Sequence, residues 1–316
     1  MPERKGLNLM EMMDAAEQGH LKAMWCIGYD ILLTNPNASA TRRALGSMDA
    51  VVVQDIFLNE TAREFGTVFF PACSSFEKDG TFMNAERRIQ RIRKALPQMG
   101  ESRTDWEIIC QLAKAMGRGN SFSYSSPADI WEEIRTLWPA GAGITYQRLE
   151  HNGLQWPCPD ENHAGTAILH QDSFPFGKRT SLHCAKFKQS PETATNEYPF
   201  ILTSGRTLQQ FNAGTMTRHG GHKLLRPTDA LDISSTDAEV LRVGEGDRVR
   251  LRSRYGETTL PIHITNVVSQ GELFATFHDA ASRLNAVTSP LRDAETSTPE
   301  YKITAVKLEK MPPEDR

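Results

Sequence analysis

The densest run of ligand-binding chemistry in the sequence lies between residues 201 and 223. ILTSG ends on Thr203, Ser204 and Gly205 and runs into Arg206 and Thr207, with Gln209, Gln210 and Asn212 just beyond. Hydroxyls, backbone amides freed by a glycine and a fixed guanidinium are the groups that hold pyrophosphate oxygens. A solvated turn after a strand is the plain alternative. GTMTRHGGHK then adds Thr215, Thr217, Arg218, His219 and His222, more donors than a turn requires, though a mobile basic loop would look the same.

Elsewhere the chemistry is thinner. Asp55 closes the run VVVQD, where a carboxylate can accept from ribose hydroxyls or a guanine edge, or simply cap the next segment. Residues 77–94, EKDGTFMNAERRIQRIRK, join Lys78 and an Asp79-Gly80 turn to what reads as an Arg-rich helix, with its basic residues not confined to one stripe. His278 and Asp279 adjoin, but no Ser or Cys nucleophile is placed to make a triad with them. Neither G-x-G-x-x-G after a strand nor G-x-x-x-x-G-K-[ST] occurs, which removes most support for an ordinary dinucleotide or P-loop site. Cys26, Cys73, Cys110, Cys158 and Cys184 are scattered singly, without the C-x-x-C spacing of zinc or iron–sulfur ligands, so no iron–sulfur cluster is expected within this chain.

Two kinds of architecture must position these residues. Helical spacing over 7–18, a short buried strand at 21–28, a helix through Ala38–Leu45, the β-branched run 48–55, a strand at 67–72 and a capped helix at 104–117 alternate as in a doubly wound parallel sheet over roughly residues 1–140. Ligands of such sheets sit beyond the carboxyl ends of the strands, which singles out Gly28 to Asp30 and Gln54 with Asp55. Residues 146–198, rich in Pro, Gly and His, read as an ordered connecting segment. From Tyr198 short strands separated by turns predict an all-β barrel. The fold class is therefore α/β plus all-β, divided at 1–145, 146–198 and 199–316.

The bulk properties exclude several classes. With 36 Lys and Arg against 39 Asp and Glu, the chain has no nucleic-acid footprint. No run approaches the ~20 apolar residues that cross a bilayer, and no secretory signal opens the sequence, so neither nucleic acid nor membrane is expected as a partner and a cytoplasmic location is expected.

Several segments in one order, among them VVVQDIFLNETA, EKDGTFMNAERR, TDWEIICQLAKAMG, YPFILTSGRTLQQFNAGTMTRH and FHDAASRLN, resemble the molybdopterin-guanine-dinucleotide oxidoreductases, and within them the formate dehydrogenase large subunits. The resemblance implies a partial doubly wound parallel α/β domain followed by a double-psi β-barrel. It further implies a bis-molybdopterin guanine dinucleotide carrying molybdenum or tungsten. Matched by motif position, the cofactor contacts would be Asp30, Gln54, Asp55, Lys78, Asp105, Thr203, Ser204, Gly205, Arg206, Thr207, Leu208, Gln209, Asn212, Phe277, Asn285 and Lys302. Tyr29 departs from the acid or amide expected before Asp30. The family's metal ligand and iron–sulfur cluster lie upstream of the matched part, so the implied partners are that N-terminal portion of the large subunit and the electron-transfer subunits. Isolated, the chain would be inactive. A separately encoded binding or assembly module is the alternative, as is the same portion of an enzyme acting on nitrate, dimethyl sulfoxide or arsenite.

Overall fold

Asn8 starts the first helix, α1 (Leu9–Glu17): its side chain accepts from the Glu11 amide at 3.0 Å, and Glu11 accepts from the Asn8 amide at 2.7 Å. The reciprocal pair satisfies two amides that a helix start otherwise leaves open. Met10, Met13 and Ala16 form its buried stripe. Strand β1 (Ala23–Ile27) lies parallel to β2 (Ala50–Asp55), with Ala23 opposite Ala50 and Ile27 opposite Gln54. A parallel pair needs a crossover, supplied here by α2 (Ile31–Thr34) and α3 (Ala38–Gly46). After α4 (Glu60–Phe65), β3 (Val68–Pro71) completes a sheet of order β1-β2-β3. Ile31, Leu45, Val51 and Val53 fill the core of this layer.

The structure, a computed structural model, describes residue 3 and residues 5–174, 177, 179 and 181–312. Its chain divides into two units, one of residues 1–69 with 188–316, the other of residues 70–187.

In the second unit the strands turn antiparallel. β4 (Gly80–Met83) pairs with β5 (Arg88–Ile92), which pairs with a short β6 (Leu154–Gln155). The Arg-rich helix expected over 77–94 is therefore corrected to a hairpin. Asn84 sets its turn, its side-chain oxygen accepting from the Glu86 amide at 2.9 Å and the Arg88 amide at 3.1 Å, with Arg87 at φ 65°. Ile89 goes inward, while the arginines find local partners: Arg91 sits 4.1 Å over the Tyr146 ring and, with Arg93, bonds Glu150 at 2.9 Å. Helix α5 (Asp105–Ala115) opens on Thr104 with Glu107 folded back onto its amide at 3.0 Å, and α6 (Pro127–Leu137) on Ser126 with Asp129. Ile89, Trp131, Ile144, Leu149 and Cys158 are the core, and the Trp131 indole donates to the Ile144 carbonyl at 2.6 Å.

The chain then returns to the first unit as a barrel. β7 (Phe200–Gly205), α7 (His222–Leu225), β8 (Leu231–Ile233), α8 (Ser235–Leu241), β9 (Arg248–Arg252), β10 (Glu257–Ile264), β11 (Glu272–Thr276) and β12 (Thr304–Lys310) follow one another. The six strands close in the order β10-β8-β11-β7-β12-β9. Two pairs, β7 with β11 and β8 with β10, are parallel and the remaining neighbours antiparallel. Closure leaves no open edge, and Leu202, Leu231, Ile233, Val249, Leu251, Leu260, Ile262 and Leu273 fill the interior. Among the described residues, no helix is long and apolar enough to cross a membrane.

Candidate cofactor-binding site

The first candidates stand at the carboxyl ends of the parallel strands β1 and β2. Gln54 and Asp55 end β2 and Asp30 follows β1, all three buried. Both carboxylates already hold structure. Asp30 accepts from the Glu60 and Thr61 amides at 3.2 Å and from the Thr61 hydroxyl at 2.7 Å, fixing the start of α4. Asp55 accepts from the Ile56 amide at 2.7 Å and the Asn59 side chain at 2.8 Å. Each oxygen of an ionised carboxylate can take about two donors, so Asp55 retains acceptor capacity.

The barrel brings its candidates to the same unit, and the seam between barrel and α/β layer runs through them. Asn285, buried beside the barrel core, donates to the Leu33 carbonyl at 2.7 Å and the Thr34 carbonyl at 3.2 Å, leaving its own oxygen buried without a partner. Tyr301, which sequence reasoning passed over beside Lys302, donates to the Thr34 carbonyl at 3.0 Å. These contacts tie the end of α2, the short helix that follows β1, to the barrel mouth. Asn285→Ala should therefore lose about 1–3 kcal/mol of stability by leaving two carbonyls unpaired. Chemical denaturation checks it, and an unchanged midpoint would contradict the tie.

At that mouth, the Thr203 hydroxyl donates to the Lys302 carbonyl at 3.0 Å, the Ser204 hydroxyl to the Tyr301 carbonyl at 2.7 Å, and the Lys302 ammonium to the Ser204 carbonyl. Gly205 is required by packing, since a Cβ there would run into the Phe274 ring. Arg206 makes one side-chain bond, to the neutral Asn212 oxygen at 3.2 Å. Thr207 bonds Gln209, Leu208 is fully exposed, and Phe277 packs against the barrel core. Neither Arg206 nor Lys302 has a carboxylate partner among the described residues. Partial burial, and then the Arg206 charge, hold the Lys302 ammonium below the usual lysine range. Two neighbouring cations with no counter-charge make a site for an anion.

The histidine-rich loop behaves differently. Several of its side chains hold structure: Thr217 donates to Gln210 at 2.5 Å, Arg218 pairs with Glu60 at 3.4 Å while another of its nitrogens is buried without a partner, and His219 stacks on Phe57 with ring centres 4.2 Å apart. In the second unit Lys78 and Asp105 form an ion pair with each other, beside a cavity of about 250 Å³ that Trp106 and Tyr146 also line. His278 and Ser282 both approach Asp229, which sits between them, so no Ser–His relay exists. Asp229 is a residue that no spacing in the sequence marked.

Comparison with known proteins places the chain in a family. Residues 1–115 match the family model for molybdopterin oxidoreductase and residues 200–305 that for the molybdopterin dinucleotide binding domain. An F420-dependent formate dehydrogenase subunit alpha of Methanocaldococcus jannaschii is 40% identical over 97% of this chain and 46% of its own length. A putative formate dehydrogenase of Bacillus subtilis is 36% identical over 97% and 31%, and an assimilatory nitrate reductase catalytic subunit of the same organism 30% identical over 96% and 44%. The chain thus spans less than half the length of these relatives. Acetylene hydratase from Pelobacter acetylenicus shares the fold with a TM-score of 0.73 over 95% of this chain and 46% of its own, at 16% identity.

Proposed function

With residues 1–115 belonging to the molybdopterin oxidoreductase family and residues 200–305 to the molybdopterin dinucleotide binding domain, we propose that this chain is the cofactor-holding carboxy-terminal portion of a formate dehydrogenase large subunit. The observation that carries the reading is the pair Arg206 and Lys302, two cations that among the described residues have no carboxylate partner, at a barrel mouth bonded to α2. They would face the phosphates of a molybdopterin guanine dinucleotide. Asp55, with acceptor capacity left, would take guanine or ribose donors together with Gln54 and Asp30. Thr203, Ser204, Gly205, Thr207, Leu208, Gln209, Asn212, Phe277 and Asn285 would line the approach. Lys78 and Asp105 carry over as cofactor contacts from the resemblance alone.

When bound, the cofactor supplies the two-electron chemistry at molybdenum or tungsten; the protein's part is binding and orientation. The metal ligand, the cluster and the electron-transfer subunits are assigned to partner polypeptide, and the cytoplasm to its location. Formate is favoured over nitrate by the higher identity to the formate enzymes, 40% against 30%.

Produced together with the amino-terminal portion of a formate dehydrogenase large subunit, the chain should carry two guanine nucleotides per metal ion, released by acid hydrolysis and counted by chromatography. It should then support formate-dependent dye reduction, whereas the chain alone should not. Absence of guanine nucleotide from the assembled subunit would overturn the cofactor assignment, and nitrate as sole substrate would overturn formate.

A further inference from the structure

The connecting segment joins the first unit at Lys188, and one turn of it carries a buried charge that is not among the residues assigned to the cofactor. Glu192, 5% exposed, accepts from the Tyr255 hydroxyl at 2.5 Å, from the Arg254 guanidinium at 3.4 Å and from the Ala305 amide at 2.8 Å. Two residues earlier, the Ser190 hydroxyl donates to the Glu300 carboxylate at 2.9 Å and accepts from the Glu192 amide at 3.1 Å. A carboxylate is costly to bury unless it is paired and hydrogen-bonded. Glu192 meets that condition with donors from two places on the barrel, the turn between β9 and β10 and the start of β12. Burial, and then the bond to Glu192, push the Tyr255 phenol up to about 12, so it stays a donor at neutral pH.

Between the two fastenings lies Lys302. Ser190 holds Glu300 just before it and Glu192 holds Ala305 just after it, while the residues in between precede β12 and belong to no strand. On the β7 side the stretch is held by the Ser204 and Thr203 hydroxyls, which donate to the Tyr301 and Lys302 carbonyls. On the other side β9 pairs with β12 only from Lys307, opposite Arg252. Continued by one more pair of the same kind, that ladder would set Ala305 against Arg254; instead the Glu192 carboxylate bonds both. A binding group that is to act in one place needs its backbone locked by such supporting bonds, and looseness of about 1 Å is enough to lose it.

We propose that Ser190 and Glu192 are positioning residues for the phosphate site: their turn clamps residues 300–305 and so sets the Lys302 ammonium beside Arg206, an inference that rests on reading those two cations as that site. Both act through the backbone of the 300–305 stretch rather than on the ligand. The connecting segment is thereby part of the binding apparatus, although none of its own side chains is assigned to the cofactor.

Titration calorimetry of inorganic pyrophosphate into the full 316-residue chain at low ionic strength tests it. The parent should bind saturably and Lys302→Ala about 10- to 100-fold more weakly, the loss expected for a charged hydrogen bond. Ser190→Ala should weaken binding about fivefold, less than Lys302→Ala because the ammonium is loosened rather than removed, and Ser190→Thr, which keeps the hydroxyl, should restore the parent affinity. Added to Lys302→Ala, Ser190→Ala should weaken binding no further, a non-additivity that a general loss of stability would not produce. Glu192→Ala should weaken binding more than Ser190→Ala; if it does not fold, the Ser190 variants carry the test. No binding by the parent, or binding that Lys302→Ala leaves intact, would remove the phosphate site and this role with it. Binding lost in Lys302→Ala but kept in Ser190→Ala, or weakened by Ser190→Ala equally with and without Lys302, would overturn the positioning role alone.

Discussion

Asp229→Ala is expected to cost about 3–5 kcal/mol and to melt the barrel before anything else in the first unit, because it strips the partner from a buried cluster. The carboxylate is 1% exposed and accepts from the Thr276 hydroxyl at 2.6 Å, the His278 amide at 3.0 Å, the Asp279 amide at 3.0 Å and the Ser282 hydroxyl, with the His278 ring nitrogen 2.8 Å away. Deleting it leaves two amides and the Thr276 hydroxyl unsatisfied at the end of β11, while the Ser282 hydroxyl keeps the Asp279 carbonyl at 3.0 Å. Burial pushes this carboxyl up, but the approach of His278 and the bonds from Ser282 and Thr276 outweigh burial and hold it below its ordinary value. A group depressed in the folded state contributes stability that is present above the unfolded pKa and lost as pH falls through the folded one. The gap between parent and Asp229→Ala in urea unfolding should therefore be constant from pH 5 to 8 and narrow below the ordinary aspartate value of about 3.9. A gap that persists unchanged into strong acid, or a variant as stable as the parent at neutral pH, would remove Asp229 from this role.

The same cluster shows where sequence reading stops. Strands were legible because burial leaves a period: VVVQD, FILTSG and ETTLPIHI declare themselves, and all three fall where expected. Helix α5 was equally plain from Thr104, its acidic first turn and Gly117. What failed was local charge without pattern. Residues 77–94 read as a basic helix because Arg and Lys tolerate helices well, whereas the Asn84 turn and the inward Ile89 make them a hairpin. Helix α6 carried a readable signature, Ser126-Pro127 with Asp129, that the flanking Ser-rich stretch obscured. Of the candidate site, Arg206, Lys302 and the ends of the β-strands could be singled out from the sequence, and their cofactor role stays a proposal. Asp30 and Asn285 were singled out as well, yet the structure shows them bonding α4 and the α2 carbonyls, a role that depends on contacts 30 to 252 residues apart and leaves no trace in spacing.

Removing Arg206 and Lys302, which face no carboxylate among the described residues, should have the largest effect on cofactor retention. A hydrogen bond to a charged group is worth about 1.5–3 kcal/mol, so Arg206→Ala and Lys302→Ala in the assembled large subunit should each weaken dinucleotide binding by about 10- to 100-fold. Metal and pterin content per subunit after desalting would measure it. Arg206→Lys should recover only part, since an ammonium cannot offer two parallel N–H bonds to one phosphate. The sign of the pH dependence follows from Lys302. Its ammonium titrates below the usual lysine range because of burial and the Arg206 charge, and an arriving anion favours the protonated form. Retention should accordingly fall as pH rises through the depressed Lys302 value, and in Arg206→Ala that fall should move to higher pH because the repelling charge is gone. Raising ionic strength should weaken binding in the parent more than in the double variant. If both single variants keep full cofactor content at low and high salt, the two cations at the barrel mouth serve the fold alone and the phosphates lie elsewhere.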